Sequence, residues 1–405
     1  MAFFNVSRIT RRQFTTAAAM AASATRLRSA TSLDETLRTG IARRGIPSVV
    51  AMVAEADRVV YRGAFGIRDK LSRKPVTIHS LFDIASMTKA VASVAAMQLV
   101  EQGTLKLDEP VSRVLPELGT VQVIDGFNAS GTFKLRPVRT PITLKHLLTH
   151  TSGFAYDVWS PDMARYTAAG GRNSFSTLAF EPGTRWQYGF STDWAARVVE
   201  RASGMNLEQY VQRNIFAPLA MTDTSYILPA NKFERFVYRA QRTPSGDFLD
   251  AGRKMPSAPT SYGGGGGLYS TAPDYIRFLQ MFLRRGAAPG GKRILSEASV
   301  DQMTVNQIGS LSAGKLKSSN PMVSADVDLH PGVEDRWGLG FLINQTPYEG
   351  GRAAGSLAWA GINNTHFWID PKSGLCAVIM MAFLPFVDPS AVQMLSEFER
   401  AVYAG

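Results

Sequence analysis

The stretch Ser86-Met87-Thr88-Lys89, running on into Ala90-Val-Ala-Ser-Val-Ala-Ala-Met-Gln-Leu-Val100, sets a serine and a lysine three residues apart at the head of an apolar run. Residues i and i+3 share one helix face, a turn apart. A helix from Met87 to Glu101, stopped by Gly103, therefore brings the Lys89 amine beside the Ser86 hydroxyl. Unpaired backbone N–H groups and the positive helix end lie close to that hydroxyl. The apolar run buries the turn, and burial lowers the pKa of a lysine, so the expectation is a neutral amine able to act as base. A second S-x-x-K, Ser312-Ala-Gly-Lys315, sits in a Gly/Ser/Lys-rich stretch with no apolar helix after it, and reads as a surface loop.

Outward from this centre, β patterns lie towards both ends of the chain. Ser32-Leu-Asp-Glu35 has the form of a capping box opening a helix to about Arg44. Ser48–Ala54 and Arg58–Phe65, separated by Glu55-Ala56-Asp57, read as an antiparallel hairpin. Ser356–Ala360, His366–Asp370 and Leu375–Ala382 are three further strands, the last two joined by the turn Asp370-Pro-Lys-Ser-Gly374. Asp388-Pro389 starts a final helix, with Asp as cap and Pro in the first turn. Between the β ends lie helical patterns such as Asp193–Ala202, long loops, and the five glycines Gly263–Gly267, whose backbone must take unusual torsions or approach something closely. The order predicts an α+β fold: one antiparallel sheet flanked by helices, with a large helical insertion at roughly residues 90–260, in a domain of residues 31–405.

Composition excludes several classes. The chain has 405 residues, 45% hydrophobic and 19% charged, as a globular protein with a sizeable core should. No run of eighteen apolar residues occurs, so no membrane-spanning helix is expected. Removing Arg8, Arg11, Arg12, Arg26 and Arg28 from the net charge of +11 leaves +6, spread without a basic run, which disfavours nucleic acid as a partner. Residues 1–30 contain Thr10-Arg-Arg-Gln-Phe-Thr15, an Ala-rich stretch and Ala22-Ser23-Ala24. They resemble a twin-arginine export signal and imply a periplasmic or exported protein, the alternative being a disordered tail on a cytoplasmic one. The single cysteine, Cys376, lies in an apolar strand and is read as inert; it excludes a disulfide framework. His146 and His150 have an i, i+4 spacing but no third ligand in register, so they are read as packing residues and no metal or organic cofactor is expected.

Leu81-Phe-Asp-Ile-Ala-Ser-Met-Thr-Lys-Ala90 with Gln102-Gly-Thr-Leu-Lys-Leu-Asp-Glu-Pro-Val111 resembles the first motif block of the class C β-lactamase and family VIII carboxylesterase group, within the serine β-lactamase and penicillin-binding-protein superfamily. Leu147-Leu-Thr-His-Thr-Ser-Gly153, Glu181-Pro-Gly-Thr-Arg-Trp-Gln-Tyr188 and Gly263-Gly-Gly-Gly-Gly-Leu-Tyr-Ser-Thr-Ala272 agree in order, so the resemblance spans about residues 33–403. It implies a β-lactamase/transpeptidase-like fold, Ser86 as acylated nucleophile, Lys89 as its partner and Tyr188 as the tyrosine of the second motif. A phenol beside an ammonium is a sensible third member, since the pair shares one proton as a base.

Two departures separate the chain from β-lactamases of this group. Tyr188-Gly189-Phe190 stands where they carry Tyr-x-Asn, and Trp359-Ala360-Gly361 stands where they carry Lys-Thr-Gly, as in the Trp-x-Gly of family VIII esterases. Lys372-Ser373-Gly374 falls in a turn and is a decoy. Indole in place of a cation removes charge recognition and offers apolar area. The resemblance thus implies an esterase acting on a small neutral ester, with Trp359 and Gly361 at the substrate and the N–H groups of Ser86 and Ile362 as oxyanion hole. Phe154, Tyr156 and Trp159 are candidate pocket walls. The alternatives are an acyltransferase on the same scaffold, a β-lactamase or D-Ala-D-Ala peptidase, and a non-catalytic binding module, against which the retention of Ser86, Lys89 and Tyr188 argues. No G-x-S-x-G elbow is present, so the α/β-hydrolase arrangement is not favoured.

Overall fold

In a computed structural model the described residues are 30–172, 174–250, 252 and 254–404. The export-signal expectation falls almost wholly outside them. The centre is a seven-stranded sheet built from both ends of the chain. In chain order its strands are β1 (Ser48–Ala54), β2 (Val59–Gly66), β3 (Asp335–Trp337), β4 (Leu342–Asn344), β5 (Leu357–Gly361), β6 (Thr365–Asp370) and β7 (Leu375–Met380). Their spatial order is β3-β4-β5-β6-β7-β1-β2, antiparallel at every step. The β1–β2 hairpin forms as read, with a register shift at Val53/Ala54 and Glu55 N–H donating to the Arg58 carbonyl across the turn.

Side chains of a strand alternate between faces, and here both faces are buried. Val49, Ala51 and Val53, with Ala377 and Ile379, pack under helices α1 (Ala30–Arg44) and α5 (Pro389–Tyr403). Val50, Met52 and Ala54, with Val378 and Met380, face the larger core shared with α2 (Thr88–Glu101), α3 (Ser191–Ser203) and α4 (Ala272–Leu283). Helices cover both sides of the sheet, as the α+β expectation required. Cys376, on the larger-core face, is wholly buried, and burial pushes its thiol up, away from thiolate chemistry.

The turn and cap readings are met by specific bonds. Asp370 Oδ1 accepts the N–H groups of Lys372 and Ser373, so Lys372-Ser373-Gly374 is a turn. Asp388 Oδ1 accepts Ser390 N–H at the start of α5. Ser312 and Lys315 are exposed, Lys315 pairing with Asp328. One reading is corrected: α1 already includes Ala30, so Ser32 lies inside its first turn, with its carbonyl accepting from Thr36 Oγ1, and does not cap it.

Candidate active site

Ser86 is delivered by a short 3-10 turn, Ala85–Met87, that flows into α2. Ala85 has φ +45°, a left-handed conformation uncommon for a residue with a side chain. Asp83 Oδ1 holds it by accepting the Ala85 N–H at 2.9 Å. Neighbouring segments clamp the turn: Ile84 N–H donates to the Leu268 carbonyl, Tyr275 Oη to the Met87 carbonyl, and Asn363 Nδ2 to the Asp83 carbonyl. Gly361, at the end of β5, lies so close that a Cβ there would stand 2.3 Å from the Ile84 carbonyl oxygen. Only glycine lets the strand edge approach the nucleophile turn this way.

Lys89 is completely buried, and its ammonium has three N–H donors and three acceptors. They are Ser86 Oγ at 3.2 Å, Tyr156 Oη at 3.2 Å and the Gly265 carbonyl at 2.8 Å. The nitrogen also stands 4.6 Å from the centre of the Tyr188 ring and 5.3 Å from that of Tyr156, a cation–π placement on two sides. Burial alone pulls the lysine down, as the sequence reading had it, but Tyr156, Tyr188 and Asp193 together hold it above the ordinary lysine value. The expectation of a neutral amine is thus corrected: at rest Lys89 is an ammonium. Burial raises the Tyr156 phenol in turn, more than Lys89 lowers it.

Tyr188 is 2% exposed and wedged among Tyr156, Trp159, His150 and Trp359. Its oxygen accepts the Trp359 indole N–H at 3.0 Å. Gly189 is required beside it, because a Cβ there would stand 2.2 Å from the Phe154 carbonyl oxygen. His150, behind Tyr188, is buried, and burial followed by the nearby Lys89 charge keeps its imidazole neutral. His146 caps its own short helix, Thr143 N–H donating to its Nδ1. Among the described residues no cluster of His, Cys, Asp and Glu is arranged to hold a metal ion.

Ser86 opens onto a cleft of about 520 Å³. Tyr156, Val158, Trp159, Phe175, Phe190, Tyr269 and Ile362 give it a largely apolar wall, while among the described residues Asp83 and Asp193 are its charged lining. Burial raises both of these carboxyls. The structure therefore brings together Ser86, Lys89, Tyr188, Tyr156, Trp159 and Ile362 from widely separated parts of the chain. It does not bring three expected substrate contacts to the cleft wall. Trp359 is 4% exposed and spends its indole N–H on Tyr188, because β5 runs behind the tyrosine; Gly361 packs on the nucleophile turn; Phe154 is fully buried and stacked on Trp194 at 5.6 Å. Tyr156, read as a wall, is also a direct partner of Lys89. Phe175, Phe190, Asp193 and the Gly265 carbonyl were not foreseen. The signals for them were the phenylalanine in Tyr188-Gly189-Phe190 and the five-glycine run.

A family model described as Beta-lactamase matches residues 33–392. The chain belongs to the Beta-lactamase family. Within the Beta-lactamase family it is similar to monacolin J acid methylbutanoyltransferase of Aspergillus terreus, 30% identical over 398 residues that cover 92% of this chain and 95% of the relative. It is equally similar to lovastatin esterase of Penicillium rubens, 30% identical over 397 residues covering 92% and 98%. Among solved structures, simvastatin synthase (LovD) from Aspergillus terreus, in its LovD6 mutant, superposes with a TM-score of 0.81 at 30% identity, covering 92% of this chain and 96% of that one. EstCE1, a hydrolase with promiscuous acyltransferase activity, shares the fold with a TM-score of 0.71 at 21% identity, covering 92% and 99%. The β-lactamase/transpeptidase-like fold is thereby established, and serine acyl-enzyme chemistry on it is supported.

Proposed function

We propose that the protein cleaves neutral carboxylic esters with an apolar acyl group through an acyl-enzyme on Ser86. The observation that carries this reading is the Lys89-bonded serine opening onto an aromatic cleft whose described lining holds no lysine or arginine. Among the described residues the wall offers no lysine or arginine to pair with the carboxylate that a β-lactam carries.

In the proposed chemistry, Ser86 Oγ attacks the ester carbonyl carbon and its proton passes to the Lys89–Tyr188 group, with Tyr156 holding the lysine in place. Because Lys89 rests as an ammonium, the active base is that group with one proton fewer. The N–H groups of Ser86 and Ile362 receive the developing oxyanion. The C–O bond to the alcohol breaks, the alcohol leaves with the proton from the same group, and water then repeats the sequence on the acyl-enzyme. A p-nitrophenyl ester series on wild type and Ser86→Ala tests this; turnover surviving in Ser86→Ala would end it, as would a nitrocefin rate matching the best ester.

Transfer of the acyl group to an alcohol instead of water is the second reading. It is favoured by relatives of equal identity whose names divide between acyltransferase and esterase. Product analysis with an added alcohol separates the two: a dominant transfer product at millimolar alcohol would replace hydrolysis as the main activity. Export through the twin-arginine signal is part of the same proposal. Its test is fractionation of the Arg11→Lys, Arg12→Lys double variant, which should stay in the cytoplasm.

A further inference from the structure

Asp193 stands on the first turn of α3, and the scheme above leaves it without a task. Its Oδ1 accepts the Gly265 N–H at 2.9 Å, while the carbonyl of the same residue accepts the Lys89 ammonium at 2.8 Å. The glycine run is moulded onto this carboxylate. A Cβ on Gly265 would stand 2.3 Å from Asp193 Oδ2, one on Gly263 would stand 2.8 Å from Oδ1, and one on Gly264 would stand 2.2 Å from the Thr192 carbonyl oxygen. Tyr226 Oη fastens the other side of the loop by donating to the Gly263 carbonyl at 2.6 Å. Three successive glycines are thus required by how closely the loop lies on one acidic side chain and the helix turn that carries it.

We propose that Asp193 is a positioning residue for Lys89: it fixes the Gly265 carbonyl that receives the ammonium and places a carboxyl group behind that carbonyl. This rests on Lys89 belonging to the base that activates Ser86. The groups that face Lys89 are Ser86, Tyr156, Tyr188, His150 and Asp193; those that face Asp193 from the other side are Arg197 and Tyr226. Asp193 is the one carboxylic acid among these described groups. Burial works against its ionisation, while Lys89, the Gly265 N–H and Arg197 favour it.

The proposal separates from a purely structural role through the pH profile. Asp193→Asn keeps an oxygen to accept the Gly265 N–H but removes the charge, which makes the lysine easier to deprotonate. On p-nitrophenyl butyrate from pH 6 to 10.5 the wild-type kcat/KM should rise without levelling, so the bend is located by the displacement of that rising limb along the pH axis; in Asp193→Asn it should move down by about one unit, the scale of a neighbouring opposite charge, which raises kcat/KM about tenfold at a given pH. Asp193→Glu, which restores the charge, should bend where wild type does, with a lower kcat from the displaced carbonyl. An Asp193→Asn profile that bends at the wild-type pH overturns the assignment. If thermal melting shows Asp193→Asn to be unfolded, Asp193→Glu decides alone: a bend moved by a unit or more overturns it. Ser86→Ala run in parallel keeps the two readings apart. Activity in that variant would remove the proposed function, whereas Ser86-dependent activity with an unmoved bend would remove only the role of Asp193.

Discussion

Trp359→Phe distinguishes a residue that positions the base from one that contacts substrate. The indole N–H donates to Tyr188 Oη at 3.0 Å, and the ring packs 4.7 Å from both Tyr188 and Trp337, out of the cleft. Phenylalanine keeps most of the apolar contact and deletes the donor. A buried neutral hydrogen bond contributes about 0.5–1.5 kcal/mol net, and leaving its acceptor unsatisfied costs about 1–3 kcal/mol. If the whole of a 1.4 kcal/mol loss falls on the transition state, kcat drops about tenfold. The expected result is therefore a kcat lowered by roughly five- to 150-fold, with KM for a short p-nitrophenyl ester within a factor of about two, because nothing on the cleft wall has changed. Steady-state kinetics over several acyl lengths measure both constants. A large rise in KM with kcat preserved would refute the reasoning, since it would mean that the indole touches substrate.

Other expectations follow from the same geometry. Tyr188→Phe should lower kcat by about 10²–10⁴-fold, the range for losing a general base, whereas Tyr156→Phe, which removes one of three acceptors of the Lys89 ammonium, should cost less; equal losses would place both phenols in proton transfer. Since Lys89 is held above the ordinary lysine value, its deprotonated form accumulates only at alkaline pH, so kcat/KM should climb from pH 7 past pH 9, by up to about tenfold per unit; a plateau reached below pH 8 would contradict this. Gly361→Ala drives a methyl to 2.3 Å from the Ile84 carbonyl and should abolish most labelling of Ser86 by a fluorophosphonate while the protein remains folded by circular dichroism. Far from the cleft, Arg352 and Glu399 form a buried bidentate pair, and Arg352→Met should destabilise the fold by about 3–5 kcal/mol in urea titration with little change in KM. Burial raises the Glu399 carboxyl but Arg352 more than offsets it, so this contribution is present above the ordinary glutamate pKa of about 4.3 and fades only in stronger acid.

What was legible in the sequence was mostly local. A serine and a lysine three apart on an apolar helix meet whatever the rest of the chain does, and hairpins, turns and caps are set by residues a few positions away. Ile362 and Tyr188 were found through motif resemblance, and both lie at the site. Apart from the Ser32 cap, where the helix starts earlier than read, the failures concern which neighbour arrives from a distance. Burial was the right first effect on Lys89, but its sign was reversed by two phenols and a carboxylate that no local pattern announces. Trp359 was placed at the substrate because a strand-edge position in the motif says nothing about which ring stands in front of it. Tyr156 and Phe154 are aromatic residues two apart, yet one reaches the lysine and the other stacks on Trp194 in the core.

The pairing of β1 with β7 has a consequence for how the molecule comes into being. Residues 48–54 leave the ribosome long before residues 375–380, which alone complete one of their two edges. Until then β1 exposes a row of unpaired amides and an apolar face, and closing so long a loop is slow. β1 must therefore wait, shielded or at risk of sticking to a neighbour, until β7 has been made. Because β5 and Ile362 also arrive late, a nascent chain holds its serine and lysine long before it holds a working pocket.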